Sequence, residues 1–239
     1  MQLIIDSHWL FILGLSRTFG LALLTLFFAT FISVLIGILA TLGNRFLRYF
    51  TIAYVELFRD VPLLVSLFFI FFGAPFIGLS LDPFTATVIT LSLWGGANGA
   101  EIVRAGIESL PEHQVRSARA LGLKQWEIYR FIIIPQAFLP ILPPLTGLFS
   151  LLIQSTSLAA LIGVPEFFRM GQIIVERTTT GEGYSPAFSI YAIVLLGYYV
   201  ISASLEQFAR RLEARIEKKN ERDTTTDTPI VFQKSEVGL

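Results

Sequence analysis

RSARALGLKQWEIYRFIIIP, residues 116–135, is a charged, helix-prone insertion between two long apolar segments, and the organisation of the chain turns on it. Its helix signals come in two runs. Pro111 and Glu112 can open the first, because proline is tolerated in the first turn and an acid there complements the helix dipole. Val115, Ala118 and Gly122 then recur at helical spacing, and Gly122 stops or bends the run where a residue without a Cβ fits best. A second run starts at Lys124 and carries Trp126, Tyr129 and Arg130 before the chain turns apolar and meets Pro135. The spacing predicts a helix, a glycine and a second helix at a membrane surface. Ser117, Ala118 and Ala120 are small enough for a partner to approach closely. From the residues alone, two readings stand side by side: a docking element, and a solvated loop that is merely helical.

The apolar segments on either side belong to a membrane protein. The 239 residues are 54% hydrophobic with 22 Phe, and the mean hydropathy is +0.67, far from soluble usage. Five intervals free of Asp, Glu, Lys and Arg lie between Arg17 and Arg45, Asp60 and Asp82, Asp82 and Glu101, Arg130 and Glu166, and Glu182 and Glu206. They enclose 27, 21, 18, 35 and 23 residues. A spanning helix needs roughly 20, so we expect five spans, at about 17–43, 52–74, 83–107, 135–160 and 186–208. The fourth interval would reach about 50 Å as one helix against a ~30 Å hydrocarbon core. Pro135, Pro140, Pro143 and Pro144 punctuate it, so irregular backbone is expected at its ends, facing protein or water.

Charge chooses the orientation. Arg45 and Arg48 follow the first span, Arg104, Arg116, Arg119, Lys124 and Arg130 follow the third, and seven Lys/Arg follow Glu206. The other side has Arg17, Arg169 and Arg177. The positive-inside rule therefore puts the N-terminus outside, the C-terminus in the cytoplasm, and loop 110–130 between the third and fourth spans in the cytoplasm. Residues 1–218 read as one all-α transmembrane domain and 219–239, polar throughout, as a disordered cytoplasmic tail. Between them, residues 163–185 alternate apolar and charged at helical spacing, which suggests an amphipathic helix at the outer surface.

Several chemistries are excluded or disfavoured. The formal net charge is zero, which argues against a nucleic-acid partner, and there is no cysteine for disulfide or thiolate chemistry. No GxxxxGK[ST] phosphate loop occurs, so the chain is not an ATPase, and no GxSxG elbow accompanies its serines. His8 and His113 are far apart in sequence and build no metal site. The start, MQLIIDSHWLFILGLSR, lacks the basic region and cleavage site of a signal peptide.

Three polar clusters fall within the expected spans. In YVELFRDVPLLVSLFF, Glu56 and Arg59 are three apart and read as a structural ion pair. In GGANGAEIVRAG, small residues suit close helix packing, while Asn98, Glu101 and Arg104 are costly unless paired or hydrated. In LLIQSTSLAALIGVPE, Gln154, Ser155, Thr156 and Ser157 are four consecutive polar residues, more than bonding back to the helix alone explains. They fit either a solute pathway or an interhelical hydrogen-bond cluster.

Residues 116–135 resemble the signature loop of binding-protein-dependent ABC importer permeases, which runs Glu-Ala-Ala, three residues, Gly, nine residues, Ile-x-Leu-Pro. Aligned on Gly122, this chain has Arg116, Ser117 and Ala118, then the glycine, and ends Ile132, Ile133, Ile134, Pro135. Arg116 reverses the charge of the family's glutamate. Tyr54, Glu56, Phe58, Arg59 and Pro62 resemble the Tyr-x-Glu-x-Phe-Arg-x-x-Pro motif of the polar amino-acid branch. The 97–104 stretch is similar to Ala-Tyr-x-Ala-Glu-x-x-Arg, with Asn98 for the tyrosine. Gln154 and Ser155 stand where Lys-Asp precedes Thr-Ser-Leu in relatives, which leaves an uncharged, hydrogen-bonding site.

The resemblance implies a permease subunit in the bacterial inner membrane that translocates a polar amino acid or similar small zwitterion. In that reading Asn98, Glu101, Gln154, Ser155, Thr156 and Ser157 contact substrate. Arg116, Ser117, Ala118, Leu121, Gly122 and Trp126 form a coupling helix that sits on an ATPase. The expected partners are a dimer of ATP-binding subunits that carries ATP and Mg, a second permease, identical or related, a periplasmic solute-binding protein and membrane lipid. This chain binds no cofactor or metal itself. An ATP-independent carrier or channel is the alternative.

Overall fold

Small residues recur along the first apolar run at a spacing that leaves one helix face nearly free of side-chain bulk. Gly14, Thr18, Ala22, Thr25, Ala29, Ser33 and Gly37 all lie buried on one side of α1, His8–Thr41. Gly14 and Thr18 lie against Phe167 and its neighbours, and further along, the stripe packs on α4, Pro83–Glu108, whose Gly95, Gly96 and Gly99 face it or α7, the later helix Ile134–Ser155. A Cβ on Gly96 would lie 2.5 Å from Ile32, one on Gly37 would lie 2.6 Å from Val103, and one on Gly99 would collide with Ser33. Because lipid supplies no hydrophobic drive between helices, such close backbone approach is what holds two of them together. The Ser33 hydroxyl donates at 2.6 Å to the Ala29 carbonyl in its own helix and also reaches Gly96 O at 3.4 Å.

The computed structural model describes residues 7–183 and 185–226, all of whose regular elements are helical. Asn44 caps α2, Arg45–Asp60, accepting a hydrogen bond from Phe46 N at 2.9 Å. The helix ends at Val61, and α3, Leu63–Gly73, sets off at 100° to it. Residues 52–74 are thus two helices where one span is expected. Pro62 supplies the reason, since it has no N–H to continue α2 and holds Val61 in extended backbone. Asp82 caps α4 through Thr85, whose backbone N–H and hydroxyl both donate to the carboxylate.

Helix α5, Glu112–Ala120, ends at Gly122. Gly122 has φ +84, Leu123 N donates to Ala118 O and Gly122 N to Arg119 O, the bonding of a Schellman terminus. The expected helix, glycine and helix are therefore present, the second being α6, Gln125–Ile128. From Gln125 the chain stays helical to Ile162, through a π turn at Tyr129–Ile133, α7 at Ile134–Ser155 and a 3-10 turn at Thr156–Ile162. Where irregular backbone is expected at the ends, the helix changes its pitch instead. The π turn bonds Ile134 N to Tyr129 O just before Pro135, which cannot donate.

The amphipathic segment expected at the outer surface is helical, as α8, Phe167–Glu182, with Met170, Gly171, Ile174 and Thr178 buried along one side. The last helix, α9, runs Ala187–Thr226. It continues past residue 219, where a disordered tail is expected, and the tail from 227 lies outside the described residues. Among the described residues three helices are long and apolar enough to cross a membrane, His8–Thr41, Gln125–Ile162 and Ala187–Ile216, or four when the bent pair α2–α3 counts as one. Helix α4 is long enough at 26 residues, but its Gly, Thr, Ser and Asn lower its hydropathy. It packs against α1, α2, α3 and α7 and so faces protein more than lipid.

Candidate functional site

The loop between α4 and α7 is seated on the helices rather than suspended below them. Ala118, Ile128, Tyr129 and Ile133 form one buried cluster with Val103 and Ile107 of α4 and Ala137 of α7, and Ile38 and Leu42 from the end of α1 pack against it. The Tyr129 hydroxyl donates to Thr41 Oγ1 at 2.9 Å, joining the π turn to the last residue of α1. Displacement of the loop must therefore move the ends of three long helices or break this cluster.

Its exposed surface carries two large apolar side chains among charged and polar ones. Leu121 is 80% exposed and Trp126 57% exposed, and Ser117 and Gly122 lie open beside them. Arg116 pairs with Glu112 one turn back on α5, and both are exposed. Ala118, expected on the docking surface, is 3% exposed and turned into the chain's own core. It serves as the seat of α5, because the small methyl lets the helix settle on Ile128 and Tyr129.

The candidate substrate residues lie in two places. Glu101 accepts from Arg104 Nη2 at 2.6 Å, and Arg104 Nη1 donates to Glu108 at 2.7 Å, so the three make a ladder on one face of α4. Asn98, half-buried one turn away, donates to Trp94 O at 2.9 Å. Gln154–Ser157 span the junction of α7 with its 3-10 turn. Three of these four side chains bond back to their own helix, correcting the expectation that they are too many for it: Ser155 to Leu151 O at 2.8 Å, Thr156 to Ile153 O at 2.6 Å and Ser157 to Gln154 O at 2.8 Å. Ser155 bonds four residues back within α7, while Thr156 and Ser157, in the 3-10 turn, bond three residues back, both being reaches open to a short hydroxyl on a helix. Gln154 is exposed and reaches Ser202 of α9 only at 3.5 Å, leaving most of its amide for another partner. Thr156 is fully buried and shares its surroundings with Tyr198.

The expected Glu56–Arg59 ion pair is not formed. Arg59 Nε lies 3.6 Å from Asp60, and Arg59 is also within electrostatic reach of Glu101. Both partners are the last two residues of α2, just before the break at Val61. Glu56 itself is exposed and has no hydrogen-bond or ion-pair partner among the described residues.

A second carboxylate escapes a reading by charge intervals. Glu166, 0% exposed, caps α8, with Phe168 N donating at 2.9 Å and Arg169 N at 2.7 Å, and it also accepts the Tyr198 hydroxyl of α9. Thr18 of α1 accepts from Phe167 N at 3.1 Å beside it. Burial pushes the Glu166 carboxyl above its ordinary range, and the hydrogen bonds from Tyr198 and the two backbone amides oppose that shift. An acid directly before an amphipathic run is a capping signal, but nothing local announces a partner 32 residues away.

A cavity of about 850 Å³ opens between the end of α1, the start of α2, the end of α4 and α5. It is lined by Arg45, Arg48, Arg104 and Arg119, by Glu101, Glu108 and Glu112, and by apolar walls. Of the candidate substrate residues only Glu101 borders it.

Comparison with known proteins agrees with this architecture. Residues 33–218 match the family described as binding-protein-dependent transport system inner membrane component. The glutamine transport system permease protein GlnP of Escherichia coli is 35% identical over 209 residues, 87% of this chain and 93% of that protein. The L-cystine transport system permease protein TcyB of Bacillus subtilis is 33% identical over 218 residues, 91% of each chain. Among solved structures, an amino acid ABC transporter crystallised with histidines superposes with a TM-score of 0.78 at 28% identity, over 89% of this chain and 96% of that one. The MetNI methionine ABC transporter in an inward-facing form gives 0.73 at 19% identity, over 88% and 98%, a likeness of fold.

Proposed function

Since this chain belongs to the family of binding-protein-dependent transport system inner membrane components, we propose that it is the translocating subunit of an ATP-driven importer for a polar amino acid or similar small zwitterion. A periplasmic binding protein delivers the solute, and ATP with Mg is bound and hydrolysed on a separate pair of chains. The names of the relatives, permeases for glutamine and cystine, support an amino-acid substrate. The chain crosses the inner membrane five times, by α1, the broken pair α2–α3, α4, the run 125–162 and α9, with the N-terminus outside and loop 110–130 inside, as the arginine and lysine distribution favours.

The observation that carries the coupling role is the combination of an exposed apolar tip, Leu121 and Trp126, with a rigid seat, the Ala118–Ile128–Tyr129 cluster. An ATPase gripping the tip moves α1, α4 and α7 through the seat. Energy enters as the difference in ATP affinity between the two conformations of the assembly. The solute passes along Gln154 and the partly open Asn98, Ser155 and Ser157, which this chain presents to a second permease, identical or related, while buried Thr156 supports them from behind. Their uncharged donors and acceptors suit an amide or hydroxyl side chain. The broken backbone at Val61–Pro62 belongs on the same side, because polar backbone at membrane depth is tolerated only against protein or water.

The test is gentle solubilisation of a tagged chain from its native membrane and identification of every chain that accompanies it by mass spectrometry. Recovery of an ATPase, with one permease or two, is the expected result. Recovery of this chain alone, under conditions that preserve a known importer, would reassign it to ATP-independent transport.

A further inference from the structure

The charges around the cytoplasmic cavity do not balance. All three lining carboxylates are engaged: Glu101 and Glu108 share Arg104, and Glu112 pairs with Arg116. Arg45, Arg48 and Arg119 line the same cavity without a carboxylate partner among the described residues, and Arg119 reaches only the neutral Gln125 amide at 2.9 Å. The four lining arginines and three lining glutamates leave an excess of one positive charge, and Arg116, which neutralises Glu112 from outside the lining, raises it to two. Guanidinium forks crowded at one opening suit phosphate oxygens, which they bind through paired N–H donors.

The cavity is amphipathic. Behind the arginines its walls are Ile36, Ile52, Val55, Ile107 and Ile133, a surface that a soluble phosphate would leave unused. On α2, the helix that carries Arg45 and Arg48, Phe46 is 78% exposed, Tyr49 74% and Phe50 56%. Aromatic rings beside arginines at a helix start are the composition that anchors a segment at the headgroup level of a membrane. We propose that this cavity binds the phosphate-bearing headgroup of an anionic phospholipid from the cytoplasmic leaflet, its acyl chains lying along the exposed rings of α2. The site rests on the orientation given above, but not on the identity of the solute.

The assembled transporter, purified in mild detergent, is titrated with phosphatidylglycerol and with phosphatidylcholine, and bound lipid is counted by native mass spectrometry. The expected result is preferential retention of phosphatidylglycerol that falls about thirtyfold in affinity in the Arg45→Gln/Arg48→Gln double variant, the attraction of two surface arginines. Phosphatidylcholine binding stays unchanged. Arg45→Lys/Arg48→Lys keeps most of the preference, which separates lost charge from misfolding. Equal phosphatidylglycerol affinity in wild type and the glutamine variant overturns the proposal, as does absence of preference in the wild-type complex, which would mean that a neighbouring subunit fills the cavity. Displacement of phosphatidylglycerol by inorganic phosphate at millimolar concentration overturns the lipid assignment in favour of a soluble occupant. Loss of the ATPase from the complex would instead count against the importer reading, and lipid retention by this chain would still be measurable.

Discussion

The hydroxyl of Tyr198 donates to Glu166 Oε2 at 2.7 Å, so a fully buried carboxylate ties the start of α8 to a point about three turns into α9. Phe11 and Tyr198 both stack on Phe167 at this point, and Thr18 accepts the Phe167 amide. A junction of three helices, α1, α8 and α9, is thus built around one acid.

Removing the Tyr198 donor leaves that acid short of a partner. Tyr198→Phe is expected to destabilise the purified transporter by about 1–3 kcal/mol, the usual consequence of a buried group losing a hydrogen bond. Tyr199→Phe, at an exposed ring, serves as the control. Thermal unfolding in detergent measures both, and equal midpoints for the two variants would deny the junction its role.

The same acid makes stability depend on pH. Burial raises the folded-state pKa of Glu166 above the ordinary glutamate value of 4.5, so the folded chain holds this proton more tightly than the unfolded chain. Its contribution is fully present below about 4.5 and declines as pH rises toward the folded value. A series of melting curves should show this decline in the wild type and a flatter profile in Glu166→Gln. Parallel profiles would assign the pH dependence to other groups.

Gly122 has open space where a Cβ would go but a φ of +84. Any cost of substitution there is backbone strain, about 1–2 kcal/mol for an ordinary residue and less for asparagine. Uptake in proteoliposomes should therefore fall in the order Gly122, Gly122→Asn, Gly122→Val, with the chain still inserted in the membrane. Full uptake by the valine variant would remove the loop from coupling.

Tyr129→Phe deletes the bond to Thr41 while keeping the ring in its cluster. We expect little loss of stability, about 1 kcal/mol, with a clear fall in uptake and normal recovery of the ATPase. Unchanged uptake would show that the apolar seat alone transmits the motion.

How much of this was legible in the chain differs from one residue to the next. Gly122 announced its turn because only a residue without a Cβ is at ease there, and Pro111 and Glu112 marked the start of α5. Arg59 did not announce Asp60 as its partner, since helical spacing allows Glu56 equally and only the end of α2 at Pro62 decides between them. Ala118 looked like contact surface for another protein because smallness suits both an exposed interface and a buried seat. The four polar residues from Gln154 concealed their own solution, because a short hydroxyl can bond back to its own helix and three of them do.

By itself, then, the sequence determined that the chain is a helical membrane protein, where its long apolar runs lie and where the loop between α4 and α7 turns. Those properties depend on composition, local spacing and single-residue backbone preference, all of which act over a few residues. The tertiary structure alone decided that Glu166 meets Tyr198, that Thr18 meets the Phe167 amide, that Tyr129 meets Thr41, and that three arginines without a carboxylate partner among the described residues share one cavity. Contacts of that kind join residues tens of positions apart, and they depend on which helix faces approach, which no local preference specifies.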